Sequence, residues 1–194
     1  MNTHAYPYRL PLILLFATVL LPVSCMQTAN SANTHTPVNN TMEKPAASAS
    51  LNVSSTAFTA GGPIPSQYTC DGANINPPLD IQGIPEYAKC LALIVDDPDA
   101  PAGTWVHWVV WNIPVSSNLV ENRVPGTEGL NDFHKHHYGG PCPPSGTHRY
   151  FFKVYALDAL LDLSDNTKKA GLENAMIGHV LASGELMGLY KRMH

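Results

Sequence analysis

Residues 97–113 read DPDAPAGTWVHWVVWNI, a proline-stiffened acidic loop followed by a run rich in β-branched and aromatic residues. Such runs, bounded by Pro, Gly or Asp, are typical of β-strands. Because successive strand side chains point to opposite faces, one face is predicted to carry Trp105, His107, Val109 and Trp111, and the other Val106, Trp108 and Val110. A buried histidine needs a hydrogen-bond partner. Asp97 and Asp99, in the loop just before the strand, are the nearest candidates for His107.

Two further runs of this kind, residues 88–95 and 149–157, also predict strands. The end of the chain differs, because apolar side chains recur at spacings of three and four between residues 168 and 190, which predicts a helix. Gly178, Gly184 and Gly188 in that stretch weaken the prediction, since each costs about 1 kcal/mol in a helix interior. We therefore expect an antiparallel, mainly β domain with a C-terminal α-helix packed on it.

Length and charge limit the possible functions. The chain has 194 residues, enough for one domain with a sizeable core. Only 13% of the residues are charged and the net charge is -4, so no basic surface of the kind that binds phosphate backbones is expected. Nucleic acid is therefore not a predicted partner.

The N-terminal residues 1–24 are typical of a secretory signal peptide. Arg9 precedes a mostly apolar run, residues 10–23, which is short for a membrane span but suits the apolar part of a signal. Residues 25–50 are rich in Ser, Thr, Asn, Ala and Pro and carry few large apolar side chains, which predicts a disordered tether. The folded domain is expected over residues 51–194, in an exported protein.

Cys25 follows the sequence LPVS and resembles the lipidated cysteine of a bacterial lipobox. Pro22 stands where that motif usually has leucine, so ordinary signal cleavage near residues 29–32 is the alternative. With Met26 after the cysteine, the resemblance implies an outer-membrane lipoprotein on the periplasmic side, held to the membrane by lipid chains. The alternative is a soluble periplasmic or secreted protein.

Residues 139–150 read GGPCPPSGTHRY and end in a predicted strand that places His148, Tyr150, Phe152 and Val154 on one face. Imidazoles and a phenol hydroxyl that converge with His107 near backbone N–H groups would donate hydrogen bonds to a small anion. Carboxylates behind the imidazoles would orient them. The sequence therefore predicts a small polar pocket for an anionic ligand.

Several separated motifs resemble the phosphatidylethanolamine-binding protein family, most closely its bacterial Raf kinase inhibitor-like branch. They are YTCDGAN at 68–74, PPL at 77–79, DPDAP at 97–101, HWVVWN at 107–112, YGGP at 138–141, GTHRY at 146–150 and GHVL at 178–181. The resemblance implies an antiparallel β-sandwich with a C-terminal helix and a conical pocket for phosphate-like or phospholipid-headgroup ligands. The matching pocket positions are Asp97, Asp99, His107, Pro141, His148 and Tyr150.

The segment leading into the YGGP motif departs from the family by carrying three histidines, His134, His136 and His137. Histidine clusters can bind zinc or copper, but the expected co-ligand spacing is absent and the three cannot all face one ion in a strand. We predict solvated loop histidines, with neither a metal site nor a cofactor.

Apart from Cys25, the chain has three cysteines, Cys70, Cys90 and Cys142. In an oxidising compartment one must stay unpaired within the chain. Cys90 opens an apolar run and is predicted to be a buried thiol, whereas Cys70 and Cys142 lie in turn-rich loops beside the family motifs and are the expected disulfide. If Cys142 were free instead, its closeness to His148 would make a thiolate nucleophile conceivable.

We predict a non-enzymatic exported binding protein that holds a small anionic ligand. Inhibition of a protease by surface docking is one alternative, since inhibitors occur in the family that the chain resembles. A weak hydrolase that uses His107 as base and Asp97 as its orienter is another. The predicted partners are thus a small anion, a membrane through the lipid anchor, and in the first alternative a protease.

Overall fold

The computed structural model describes residues 49–192. The predicted signal peptide, Cys25 and nearly all of the predicted tether lie outside these residues. In chain order the elements are β1 (Ala49–Ser50), β2 (Asn52–Ser54), a 3-10 turn (Ser66–Tyr68), β3 (Leu79–Gln82), β4 (Cys90–Asp97), β5 (Trp105–Ile113), β6 (Asn118–Leu119), β7 (Thr127–Glu128), β8 (His148–Leu157), α1 (Lys169–Met176) and β9 (Val180–Tyr190). Among residues 49–192, no helix is long and apolar enough to cross a membrane.

Two β-sheets form the domain, as predicted. The larger has the strand order β1-β9-β8-β4-β5-β7 and the smaller β2-β3-β6. All described pairs of strands are antiparallel except β1 with β9. β4 lies between β8 and β5 and is buried along its whole length, which is why its sequence CLALIVDD is apolar until its last two residues. The three longest predicted strands are confirmed as β4, β5 and β8.

The main hydrophobic core lies between the two sheets. It joins Leu79 and Ile81 of β3 to Leu93 of β4 and Phe152 of β8. A second apolar cluster covers the other face of the larger sheet, where Leu172 and Met176 of α1 pack with residues that include Ile94 and Trp111. The arrangement is therefore small sheet, large sheet and helix, in three layers.

The predicted C-terminal helix is correct only in its first third. α1 ends at Met176, and residues 180–190 form β9, the longest strand of the described chain. Gly178 has φ +82 just past the helix, a left-handed conformation that commonly ends helices. The buried positions Ala182 and Leu186 are four residues apart, a spacing that fits a helix turn and a strand face equally well. Residues 180–190 form a strand because they pair with β8.

Residues 49 and 50, predicted to end the tether, are part of the sheet instead. They pair in parallel with Ala182 and Ser183 of β9 and form β1. Immediately beyond them, a Cβ on Gly184 would lie 2.2 Å from the Leu51 carbonyl oxygen, so only glycine allows this close approach. The ordered structure therefore includes residues before Leu51.

A β-bulge at His107 changes which face its side chain occupies. Val95 of β4 pairs with Trp108, but the next residue, Asp96, pairs with Val106. His107 therefore has no paired residue on β4. The predicted alternation therefore breaks. Val109 packs with Val106 on the helix side of the sheet, whereas the His107 ring contacts Tyr150, which belongs to the core between the sheets.

Candidate ligand-binding pocket

A cavity of about 230 Å³ opens where β4 ends and where β5 and β8 begin. Its wall is completed by parts of the 131–144 segment. The lining residues are Asp97, Ala100, Pro101, Trp105, His107, Phe133, Cys142, Pro143, Pro144, His148 and Tyr150. Four of the six predicted ligand-binding residues are thus brought together in one wall, while Asp99 and Pro141 do not line the cavity.

His107 is fixed by a backbone carbonyl, and the prediction that Asp97 or Asp99 is its partner is wrong. Its Nδ1 lies 2.6 Å from the Gly139 carbonyl oxygen. Because a carbonyl only accepts, Nδ1 carries the proton and donates it. The ring is held edge-on by Phe133 and Tyr150, each with its centroid 5.3 Å away. Burial lowers the pKa of His107, which favours the neutral ring.

Acid is expected to destabilise the fold through His107. Its pKa in the folded chain lies below the ordinary 6.5, so below about pH 6.5 the unfolded chain takes up a proton that the folded chain resists. The penalty is absent above that pH and grows as pH falls. The urea midpoint should therefore drop more between about pH 7 and pH 5 in the wild type than in His107→Gln. Equal drops in both proteins would contradict this assignment.

Asp97 and His148 form the carboxylate–imidazole pair of the pocket. Asp97 Oδ2 lies 2.8 Å from His148 Nδ1, and Asp97 Oδ1 accepts the Asp99 backbone N–H at 2.8 Å. Both side chains are almost fully buried. Each carboxylate oxygen is thus occupied, and Nε2 is the His148 nitrogen without a partner among residues 49–192. This arrangement fixes the carboxylate and the imidazole in place before any ligand binds.

Asp99 points away from the cavity to the outer side of β8. Its two carboxylate oxygens accept hydrogen bonds from Arg149 Nη2 at 2.6 Å and Nε at 2.9 Å, and Oδ2 also accepts the Arg149 backbone N–H. The Arg149 guanidinium lowers the pKa of Asp99 to about 2. This bidentate pair joins the loop after β4 to the start of β8, and it engages the guanidinium of the residue that follows His148.

Two buried hydrogen-bond donors in the cavity wall lack a partner within residues 49–192: the indole Nε1 of Trp105 and the hydroxyl of Tyr150. Burial, and after it the charge of the nearby Asp97 carboxylate, raises the pKa of Tyr150, but the Tyr150 hydroxyl does not meet hydrogen-bond geometry to that carboxylate. Buried donors without partners are rare in native proteins and carry a cost of roughly 1–3 kcal/mol each. Two in one cavity wall indicate a site that binds an acceptor.

The predicted disulfide between Cys70 and Cys142 is present, with the Cα atoms 5.4 Å apart. Cys142 is therefore no thiolate, and Cys90 is buried and free as predicted. The bridge joins the pocket wall to the segment before β3. Next to it, the Pro141 carbonyl oxygen accepts the Cys70 N–H at 3.1 Å. Pro141 thus supports the wall from behind instead of lining it.

The three loop histidines are exposed, as predicted. Within residues 49–192, no three or more His, Cys, Asp or Glu side chains come together in an arrangement that could hold a metal ion. The loop is built around Asn131, whose side-chain amide donates to the backbone oxygens of His107 and His137. Asn131 Oδ1 accepts the Phe133 and Lys135 N–H groups. These bonds place Phe133 in the cavity wall.

Sequence reasoning missed Trp105 and Phe133 as pocket residues. The strand alternation predicts only a strand face for Trp105, whereas its position at the first residue of β5 puts it beside the acidic loop. Phe133 had no local signal, because its place depends on the Asn131 hydrogen bonds and on edge-to-face contacts with Trp105 and His107.

Comparison with known proteins agrees with this fold and site. The sequence model of the phosphatidylethanolamine-binding protein family matches residues 54–191. The chain therefore belongs to the phosphatidylethanolamine-binding protein family. It has the fold of a family of binding proteins, as the sequence motifs predicted.

Close relatives occur in archaea and bacteria. A UPF0098 protein of Methanothermobacter thermautotrophicus is 51% identical over 73% of this chain and 99% of its own length. A crystal structure of a phosphatidylethanolamine-binding protein homolog from Chlamydia trachomatis is 43% identical, with a TM-score of 0.72 over 75% of this chain and all of that chain. Escherichia coli YbcL, described as a member of the mammalian family, is 31% identical with a TM-score of 0.68 over the same shares.

Proposed function

We propose that this protein is a non-enzymatic binding protein that holds a small anion in the pocket formed by Asp97, Trp105, His107, His148 and Tyr150. The observation that carries the proposal is the pair of unpartnered buried donors, Trp105 Nε1 and the Tyr150 hydroxyl, in one cavity wall. An anion accepts both hydrogen bonds and removes their desolvation cost. A volume of about 230 Å³ has room for a phosphate-sized group.

Phosphate at about ten times its dissociation constant is expected to stabilise the folded protein by about 1.4 kcal/mol, since it binds only the native state. For a domain of this size this raises the melting temperature by roughly 4 °C. His148→Ala and Trp105→Phe should each lose most of that increment, because the first removes a pocket imidazole and the second removes only the indole N–H.

His136→Ala is the matched control, because His136 is an exposed loop histidine. It should keep the full increment. What is compared is the phosphate-dependent shift of each variant against its own phosphate-free melting temperature, so a loss of intrinsic stability does not confuse the result. Full shifts in both pocket variants would place the anion elsewhere.

The hydrolase alternative required Asp97 to orient His107 as the base. That pair is not formed, because His107 Nδ1 bonds to Gly139 and not to Asp97. A hydrolase would have to use His148, whose Nδ1 is oriented by Asp97. A binding protein returns its ligand unchanged. Incubation with a phosphate ester and quantification of released phosphate separates the two, with His148→Ala as the reference for background hydrolysis.

Protease inhibition by surface docking is the second candidate, favoured by an apolar surface away from the pocket. Val115, Val120 and Val124 are 46%, 56% and 58% exposed on the connection between β5 and β7. Patches of exposed apolar side chains mark interaction sites more often than chance. An inhibitor that uses this surface would act equally well with the anion pocket filled.

We also propose that Cys25 is lipidated and anchors the protein in a bacterial envelope, on the periplasmic side of the outer membrane. Paired acyl chains give stable anchoring because each buried methylene contributes about 0.8 kcal/mol. The wild type should partition into the detergent phase and carry the mass of acyl chains on its N-terminal peptide. Cys25→Ser should remain unprocessed or become soluble. A soluble wild type that starts near residues 29–32 would contradict lipidation.

A further inference from the structure

We propose that this protein has a second binding site, separate from the anion pocket, which takes a free amino acid in its zwitterionic form. The site is a cleft of about 210 Å³ beside β7, at the edge of the larger sheet. Glu128 binds the ammonium group of the ligand and Arg123 binds its carboxylate. The cleft shares no lining residue with the anion pocket, so the inference does not depend on that pocket.

A buried indole holds the Glu128 carboxylate in the wall of the cleft. Glu128 pairs with Val110 of β5, and this register puts its side chain on the same face as Trp108, two residues before Val110. Trp108 is only 3% exposed and donates its Nε1–H to Glu128 Oε1 at 2.7 Å. Oε2 of Glu128 has no partner within residues 49–192. One oxygen of a fixed carboxylate is therefore available to a ligand cation.

Asn76 fixes the segment that carries Arg123 at the mouth of the cleft. The Asn76 side chain is buried. Its Nδ2 donates to the Val120 carbonyl and its Oδ1 accepts the Arg123 N–H, both at 3.1 Å, while its backbone oxygen accepts the Asn122 N–H. Asn122 has φ +52, a left-handed conformation that asparagine adopts more readily than most residues. The position of the Arg123 backbone is thus set by a buried side chain.

The Arg123 guanidinium is not used by the fold. Its backbone N–H is bonded, but the guanidinium has no hydrogen bond or ion pair in the described part of the chain. Arg149 and Arg192, by contrast, are each bound by an aspartate. Glu121 is the carboxylate nearest to Arg123 in sequence, and it accepts the hydroxyl of Tyr68 instead. Arg123 therefore lines the cleft as a cation without a counterion.

The two charged groups of the cleft do not neutralise each other. Arg123 and Glu128 line the same cavity, yet they form no ion pair among residues 49–192. A ligand that carries a cation and an anion a few ångströms apart satisfies both groups at once, through charge-assisted hydrogen bonds. A free α-amino acid has this arrangement. An inorganic anion satisfies only Arg123, and a peptide carries its two terminal charges too far apart.

The size and walls of the cleft indicate which amino acids fit. Pockets for drug-sized ligands begin at about 300 Å³, so a cleft of about 210 Å³ suits a smaller molecule. Trp108 and Tyr138, both buried, form an edge-to-face pair with their centroids 5.5 Å apart, and Ile75 and Val124 add aliphatic surface. An apolar side chain of the ligand is stabilised against these walls by leaving water.

Binding is measured on the full chain by titrating L-valine, L-leucine or L-methionine and following the indole ¹H–¹⁵N resonance of Trp108, assigned by its loss in Trp108→Phe. At least one of the three should bind with a Kd below about 1 mM. Acetylation of its amino group and amidation of its carboxylate should each weaken binding roughly tenfold or more, because each removes a charge-assisted contact. Equal affinity of the acetylated form would overturn the zwitterion assignment.

Two variants assign the two charges. Glu128→Gln keeps an acceptor for the Trp108 indole but loses the charge, so it should weaken the amino acid roughly tenfold and leave its acetylated form unchanged. Arg123→Gln should weaken the amino acid by a similar factor and leave its amide unchanged. Lys89→Gln, which removes an exposed cation away from the cleft, should bind like the wild type. An equal loss in Lys89→Gln would assign the effect to net charge and overturn the role of Arg123.

The indole resonances of Trp108 and Trp105 distinguish failure of this site from failure of the anion pocket. The amino acid should shift the Trp108 resonance and leave that of Trp105 in place, whereas phosphate should do the reverse, since Trp105 lines the other cavity. Displacement of the amino acid by phosphate would place both ligands in one pocket and overturn the second site. If none of the three amino acids binds, the second site fails while the response of Trp105 to phosphate still tests the anion pocket.

Discussion

Removal of the Cys70–Cys142 disulfide is expected to lower the free energy of unfolding by about 4 kcal/mol. The bridge closes a loop with a sequence separation of 72 residues, and cross-linking a loop of that length restricts the unfolded chain strongly. The loop contains β3, β4 and β5, so the constraint acts on the centre of the larger sheet. Urea denaturation of Cys70→Ser/Cys142→Ser against the wild type measures the difference.

Reductant provides the matched control for the disulfide. Reduced wild type should denature like the double variant, and the double variant should not respond to reductant because its remaining domain cysteine, Cys90, is buried and free. The double variant should also bind phosphate more weakly, since Cys142 lines the cavity. Complete alkylation of Cys70, Cys90 and Cys142 in unfolded, unreduced protein would show that the bridge does not form.

Replacing Asp96 by Ala is expected to cost about 3 kcal/mol, the second large effect on stability. Asp96 is completely buried at the end of β4. Its carboxylate binds two ammonium groups, that of Lys153 from β8 at 2.8 Å and that of Lys169 from α1. Removing the carboxylate leaves two cations beside each other and releases the start of α1 from the sheet. Equilibrium urea denaturation gives the change in free energy.

Asp99→Ala is the control for Asp96→Ala, because it removes the same kind of ion pair three residues away. The Arg149 side chain of that pair is about half exposed, and exposed pairs contribute about 1 kcal/mol or less. A loss for Asp96→Ala no larger than that for Asp99→Ala would show that the buried carboxylate does not hold the helix to the sheet. Lys169→Met should reproduce part of the Asp96→Ala effect.

Local patterns were sufficient for the strands that form the centre of the larger sheet. β4, β5 and β8 are runs of β-branched and aromatic residues bounded by loop residues, and their sequence alone predicts them. β9 has no such unambiguous pattern. Its small and apolar residues recur at spacings shared by helix and strand, and the free edge of β8 selects the strand by pairing with it along nearly its full length.

In the pocket, too, the side chains could be predicted from local motifs, whereas their partners could not. The motifs identified Asp97, His107, His148 and Tyr150, and the structure places all four in one wall. Their partners were beyond local reasoning. Residues that contact each other here are separated by tens of positions, such as Asp97 and His148, 51 residues apart, and His107 and Gly139, 32 apart.

Residue types and their short-range spacing were enough to predict the family, the central strands, the identity of the main pocket side chains and the cysteines free to pair. The roles of the three neighbouring aspartates depend on contacts with distant parts of the chain: Asp96 binds the lysines on the helix side, Asp97 orients His148 and Asp99 binds Arg149. The β-bulge at His107 in the β4–β5 pair places its imidazole on the opposite face of the sheet from the one that simple strand alternation predicts. Pairing register depends on both strands at once, so neither strand's sequence contains it alone.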